Sequence, residues 1–223
     1  MGAWIQLTAS DGHGLDAWCA QPAAPERAIV ILQEIFGVNP HIRNVCDRFA
    51  GRGYLAIAPA LFDRAEKSQS LGYDAEGIAR GRELKARITN EQALLDVQAA
   101  IDHANAAKLP VAVLGFCWGR TLAWLAAARL SGVRAAVALY GTNIADHLDE
   151  APKVPVQLHF GEHDKNIPPD QVSRIEQAWP QVPLYRYPAG HGFNCEDRAA
   201  FHARSAAIAS DRSKDFLRKH LSC

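Results

Sequence analysis

Apolar runs of strand length recur along this chain and alternate with stretches of helical periodicity. Near the start, AWIQLTA and LDAWCA flank the turn-rich SDGHG, and their every-second-residue patterning predicts an antiparallel hairpin at a sheet edge. From AIVILQ (28–33) onward the runs become continuously apolar: YLAIAP (54–59), VAVLGF (111–116), VRAAVALY (133–140), VPVQLHF (154–160) and VPLYRYP (182–188). Such strands are buried on both faces, because one-sided burial puts a polar residue at every second place. In NEQALLDVQAAIDHANAA, Leu94, Val97, Ile101 and Ala104 fall three or four apart, which predicts a helix with an apolar stripe against a sheet. Glu91, Asp96 and Asp102 fall on its polar face. The pattern therefore predicts an α/β fold, a mainly parallel sheet of about seven or eight strands with helices on both faces. Segment 60–88 interrupts the alternation with charge and glycine. Long excursions at strand ends shape binding sites in such folds, and a solvated surface segment is the other reading.

Composition narrows the function classes. The 223 residues show no repeat, low-complexity tract or Gly/Ser linker, so one domain over 1–223 is expected. Lys plus Arg equals Asp plus Glu at 24 each, which leaves no basic surplus for nucleic acid. MGAWIQLTAS lacks a basic region followed by an apolar run, Gln6 does not fit a myristoylation signal, and no apolar run reaches bilayer length. The five cysteines, Cys19, Cys46, Cys117, Cys195 and Cys223, are odd in number and lack C-x-x-C spacing, against a disulfide framework or thiolate zinc site. A cytoplasmic protein acting on a small molecule, without nucleic acid or membrane partner, is expected.

The chemistry concentrates in VAVLGFCWGR (111–120), where an apolar run ends at Cys117 and helical patterning follows. A strand, a sharp turn and a helix around G-x-C-x-G match a nucleophile elbow with Cys in place of Ser. Gly115 and Gly119 remove side chains that would clash where the strained turn meets neighbouring chain. A helix N-terminus and a histidine both favour thiolate, the nucleophilic form. A buried structural cysteine is the alternative. Two partners follow in the order nucleophile, acid, base: Asp164 in HFGEHDKNIPP and His191 in YPAGHGFN, each just past a strand. The carboxyl ends of parallel strands share one edge, so three residues distant in sequence can converge there.

With these residues in place, the chain resembles the dienelactone hydrolase family of α/β-hydrolases, also called carboxymethylenebutenolidases. The resemblance runs over nearly the whole chain and is carried by QEIFGVN (33–39), GFCWG (115–119), GEHD (161–164) and AGHGF (189–193). It implies an α/β-hydrolase fold and a Cys117–His191–Asp164 triad. Glu34 is implied to sit beside the thiol and to control its ionisation. It further implies an oxyanion hole from the backbone N–H groups of Ile35 and Trp118, and substrate contacts from Phe36, Tyr140 and Phe193. For Tyr140 a strand-end core aromatic is the other reading. Cys195 stands where dienelactone members carry a carboxylate-binding arginine, and Arg198 is a possible replacement. The second family arginine falls in a region where Arg80, Arg82 and Arg87 all qualify. Arg120 replaces a common glycine and reads as a helix-surface residue.

The expected activity is opening of a lactone or cleavage of a small carboxylic ester through an acyl-enzyme, needing no cofactor and no metal, in a monomer or small homo-oligomer. One rival is a non-catalytic ligand-binding or thiol redox-sensing protein in which Cys117 is oxidised and Cys195 resolves it. A second is a metal site from His159, Glu162, His163 and Asp164, whose spacing across Gly161 is not that of helical zinc motifs.

Overall fold

Eight strands form one sheet in the order β1-β2-β4-β3-β5-β6-β7-β8 in a computed structural model that describes residues 2–141 and 143–222. Cys223 lies outside the described residues. The strands are β1 Ala3–Thr8, β2 Gly14–Ala20, β3 Arg27–Leu32, β4 Tyr54–Pro59, β5 Val111–Phe116, β6 Val133–Leu139, β7 Val156–Gly161 and β8 Leu184–Tyr187. The first two pair as the antiparallel hairpin at the edge, β2 pairs antiparallel with β4, and every later pairing is parallel. The run at 182–188 contracts to four residues because Pro183 and Pro188 bracket it and neither can donate to a ladder.

Among the described residues six α-helices cover the sheet: α1 Pro40–Ala50, α2 Ala75–Ala86, α3 Asn90–Ala106, α4 Trp118–Arg129, α5 Pro169–Ala178 and α6 Ala203–Leu221. Successive residues of one strand serve opposite faces. Ala28, Val30 and Leu32 of β3 pack with α3, α4 and α5, whereas Ile29 and Ile31 pack with α1 and α6. This two-sided burial is the physical reason for the uninterrupted apolar runs. No helix among the described residues is long and apolar enough to cross a membrane.

Helix α3 departs from expectation at one position. Thr89 and Gln92 close a capping box at its start, and Leu94, Val97, Ile101 and Ala104 are buried as predicted. Asp96, expected on the solvated face with Glu91 and Asp102, is fully buried instead. Arg64, in the 3-10 turn Leu61–Arg64 after β4, reaches over it with two hydrogen bonds of 2.8 and 2.7 Å and also pairs with Asp11 at 2.7 Å. Helical periodicity assigns a face but cannot reveal a cation brought in by another segment. Asp96→Ala leaves Arg64 with only the more exposed Asp11 and opens a space in the buried face of α3, so it is expected to cost about 2 kcal/mol. Urea unfolding checks this, with the exposed Glu91→Ala changing stability by no more than about 0.5 kcal/mol as the control.

Candidate active site

The site is built at the carboxyl edge of the sheet. Glu34 follows β3, Cys117 follows β5, Tyr140 follows β6, Asp164 follows β7, and His191 follows β8. Cys117 has φ +53° and ψ −114°, in the region that L side chains rarely adopt. Its backbone N–H donates to the Leu139 carbonyl at 3.1 Å, and the N–H of Gly119 donates to Gln33 at 3.1 Å. These bonds fasten the turn to both neighbouring strands, so the strain is held by the surrounding sheet.

His191 Nε2 lies 3.2 Å from Cys117 Sγ, and its Nδ1 lies 2.7 Å from Asp164 Oδ2. The other Asp164 oxygen accepts from the Asn166 N–H at 2.9 Å, which fixes the carboxylate plane. Burial works against charge on the imidazole, but the hydrogen bonds and negative charge of Asp164 and Cys117 outweigh it and push His191 up to about 10. A raised histidine value means that the folded chain favours the charged ring. Its contribution to stability is complete below the ordinary value of 6.5 and is lost as pH climbs through about 10. Unfolding free energy of the native chain is therefore expected to fall across this window, and His191→Gln to flatten the fall, as read by urea titrations at stepped pH.

Glu34 is fully buried, which raises its pKa against the opposing charges of Arg198 and His191. Oε1 accepts from Arg198 at 2.9 Å, while Oε2 has no partner among the described residues. Arg198 stacks near Phe36 and Tyr73 at 5.5 and 5.6 Å from the ring centroids. Arg198 thus occupies the site beside Glu34, from a position seven residues after His191. Cys195 is turned to the Tyr73 hydroxyl at 3.3 Å, and burial raises its thiol to about 11.

A cavity of about 690 Å³ opens beside Cys117, His191 and Trp118, and Ile35, Phe36, Arg82 and Arg198 also line it. Helix α2, from the segment that interrupts the sequence pattern, forms part of its wall. At Gly81 a Cβ would stand 1.8 Å from the Ile35 carbonyl oxygen, so only glycine lets α2 pack against the loop that carries Glu34 and Ile35. Of the three arginines left open by the sequence, Arg82 lines the cavity. Arg80 is tied to Glu66 and Glu83 on the surface, and Arg87 donates to the Ala65 carbonyl. Tyr140 and Phe193 are fully buried and pack on each other at 5.5 Å, with Tyr140 also 5.5 Å from the His191 ring, so both stand behind the site and not in the cavity wall.

The surface placement expected for Arg120 needs correction. Arg120 is not on the helix surface: it is fully buried, stacked 3.7 Å from the Phe160 centroid, and donates to the Gly141 carbonyl. Burial lowers its pKa to about 9 against the charges of Asp164 and Cys117. The first turn of α4 is enclosed by β6 and β7, which periodicity cannot reveal. His159 is turned away from Asp164 and bonds Tyr187 at 2.8 Å and Gln157 at 2.9 Å in the interior. No group of three or more potential metal ligands occurs among the described residues. Sequence reasoning missed Lys85, Asn143 and His147 in the cavity wall and Tyr73 beside Glu34, since loop and helix-surface residues carry no periodic signal.

Sheet order, elbow and the placement of His and Asp on the loops after later strands define an α/β-hydrolase fold. Residues 15–221 match the sequence pattern of the dienelactone hydrolase family, and the chain belongs to that family of carboxylic ester hydrolases. It is 35% identical over 225 residues to a Synechocystis sp. protein provisionally named a carboxymethylenebutenolidase, covering 92% of this chain and 91% of the relative. It is 32% identical over 224 residues to the carboxymethylenebutenolidase of Pseudomonas putida, covering 96% and 94%. A crystal structure provisionally named a dienelactone hydrolase, from Klebsiella pneumoniae, superposes with a TM-score of 0.83 at 31% identity over 97% of this chain and 99% of that one.

Proposed function

We propose that this enzyme opens a dienelactone-like lactone, or cleaves a similar small ester, through an acyl-thioester on Cys117. The observation that carries the reading is the unbroken hydrogen-bond chain from Asp164 through His191 to Cys117 at the cavity mouth. Cys117 sulfur attacks the carbonyl, with its proton on His191. Trp118 opens α4, where a backbone N–H has no intrahelical acceptor, and with the Ile35 N–H it receives the negative charge developing on the carbonyl oxygen. Collapse breaks the ring C–O bond, and the leaving oxygen takes the proton from His191, which leaves the imidazole neutral and able to act as base in the next step. Water then gives a proton to His191 and attacks the thioester, releasing the carboxylate and restoring the thiol. An enolate leaves more readily than an amine, which favours lactones and esters over amides.

Arg82 and Lys85 on α2, with Arg198 held by Glu34, outnumber the one acid of the lining, Asp146, which suits a substrate carrying a carboxylate. Burial of Cys195 as a protonated thiol on Tyr73 weighs against the redox-sensing alternative, since the thiolate is the form that reacts. The test is acid quenching during turnover of cis- or trans-dienelactone followed by intact-mass and peptide analysis. A substrate-sized adduct on the Cys117 peptide is expected, and hydrolysis with no adduct in either wild type or His191→Ala would remove the acyl-enzyme.

Glu34 is assigned the control of the thiol proton. Its buried carboxylate bears electrostatically on His191, so its charge sets how readily that ring takes the thiol proton, and Arg198 decides how much negative charge it carries. Glu34→Gln keeps the shape but not the basicity, so kcat is expected to fall by roughly 10²-fold. A steady-state assay with a melting curve on the same sample separates this from unfolding.

A further inference from the structure

The wall of the cavity beside Cys117 holds a second histidine, His147, that takes no part in the hydrogen-bond chain of Asp164, His191 and the thiol. It follows the 3-10 turn Ile144–Asp146, and its Nδ1 lies 3.1 Å from Glu150 Oε1. Arg129, the last residue of α4, donates to both oxygens of Glu150, at 2.5 and 2.6 Å, and holds that carboxyl below the usual carboxylate range. An ionised Glu150 can only accept, so Nδ1 carries the hydrogen, and in a neutral imidazole this leaves Nε2 as a bare acceptor. Nε2 has no partner among the described residues and is not enclosed by protein.

The segment stays in place without this ring. The His147 carbonyl accepts from Trp124 Nε1 at 3.3 Å and from the Glu150 N–H at 3.2 Å, and the His147 N–H donates to the Ile144 carbonyl at 2.9 Å. The bond from Nδ1 therefore adds orientation to a loop that is already fastened. A carboxylate that fixes one imidazole nitrogen aims the other, and the device that Asp164 applies to His191 is repeated here on a ring not bonded to the thiol. An acceptor aimed in advance loses little freedom when a ligand arrives.

We propose that His147 is a specificity-determining residue that accepts a hydrogen bond from a hydroxyl on the acyl part of the substrate, so that the enzyme prefers hydroxylated lactones and esters. The inference rests on the acyl-enzyme reading: when a lactone opens on Cys117 the whole molecule stays attached as the acyl part, and every group that the cavity recognises belongs to it. A bare nitrogen acceptor offers nothing to a carboxylate, whereas Arg82 and Lys85, which form no ion pair among the described residues, do. The two kinds of wall therefore select different groups on one substrate.

The test compares the 4-nitrophenyl esters of butanoic, 2-hydroxybutanoic and 3-hydroxybutanoic acid at about pH 8, where an ordinary imidazole is neutral. Nitrophenolate release gives kcat/KM, divided for each ester by its rate of spontaneous hydrolysis, in wild type, Cys117→Ala, His147→Leu, His147→Gln and Glu150→Ala. Wild type is expected to favour at least one hydroxy ester over the butanoate by roughly 3- to 10-fold, the worth of one hydrogen bond. His147→Leu should bring that ratio to about 1, and His147→Gln, whose amide oxygen can stand near the place of Nε2, should keep most of it. Glu150→Ala, outside the cavity lining, should lower the ratio by freeing the ring. Loss of folded enzyme lowers all three esters together and leaves the ratio alone. Wild-type ratios of about 1 for both hydroxy esters, or a preference undiminished in His147→Leu, would overturn the inference and leave the chemistry of Cys117 standing. Full hydrolysis by Cys117→Ala, or no hydrolysis of any ester by wild type, would instead remove the acyl-enzyme reading and this inference with it.

Discussion

Replacing Cys117 with alanine is expected to lower kcat/KM for a lactone or ester substrate by roughly 10³- to 10⁶-fold, the range seen when a nucleophile acting as one unit with its base is removed. The loss should be chemical and not structural. Alanine retains the Cβ that already stands at φ +53°, and the turn stays fastened through the backbone bonds of residues 117 and 119. Melting temperature is therefore expected to stay within a few degrees of wild type while turnover disappears. A purified, folded variant assayed at enzyme concentrations high enough to detect a thousandth of normal activity decides the matter. Retention of full turnover would place the nucleophile elsewhere and leave the elbow as a structural turn.

Gly115→Ala is expected to act through the fold. A Cβ at residue 115 would stand 2.0 Å from the Gly119 carbonyl oxygen and 2.7 Å from the Arg120 backbone nitrogen. Neither is the end of a flexible side chain that could swing away. Strand β5 is paired with β3 on one side and β6 on the other, and α4 is buried along nearly its whole length, so neither body can move aside without breaking core contacts. Overpacking against backbone belongs to the short set of mechanisms that exceed about 4 kcal/mol, enough to unfold a marginally stable domain. The expected result is loss of soluble folded protein, read by yield and by urea unfolding of whatever remains. Gly14→Ala is the control, because a Cβ there meets nothing within 4 Å, and it should be close to neutral.

Buried Arg120 shows that the position after the elbow's second glycine is not a surface site in this chain. The guanidinium is enclosed with no carboxylate among the described residues in hydrogen-bond contact, yet Asp164 and Cys117 act on it electrostatically. Its contact with the Gly141 carbonyl ties the first turn of α4 to the end of β6, so the residue after the elbow braces two of the loops that form the site.

Much of this architecture was already written in the order of residue types. Runs such as AIVILQ and VAVLGF can be buried only inside a sheet covered on both sides, and the period of two in AWIQLTA and LDAWCA admits only an edge hairpin. G-x-C-x-G at the end of such a run, with an acid and then a histidine after later strands, marked Cys117, Asp164 and His191 as residues that could meet, because parallel strands bring their carboxyl ends to one edge whatever the distance along the chain, and the three lie within hydrogen-bond distance in sequence Cys–His–Asp. Local patterns of this kind depend on neighbours one to four residues away, and those neighbours are visible in sequence.

Long-range pairing was not visible there. That Arg64 buries Asp96, that Arg198 and not a residue four after His191 reaches Glu34, and that Arg82 alone of three nearby arginines lines the cavity all follow from contacts between segments far apart in the chain. The same holds for Gly81, whose missing side chain brings α2 onto the Ile35 loop, and for Arg120, enclosed by strands that lie after it. Periodicity tells which face of an element is buried, and packing alone determines what that face meets.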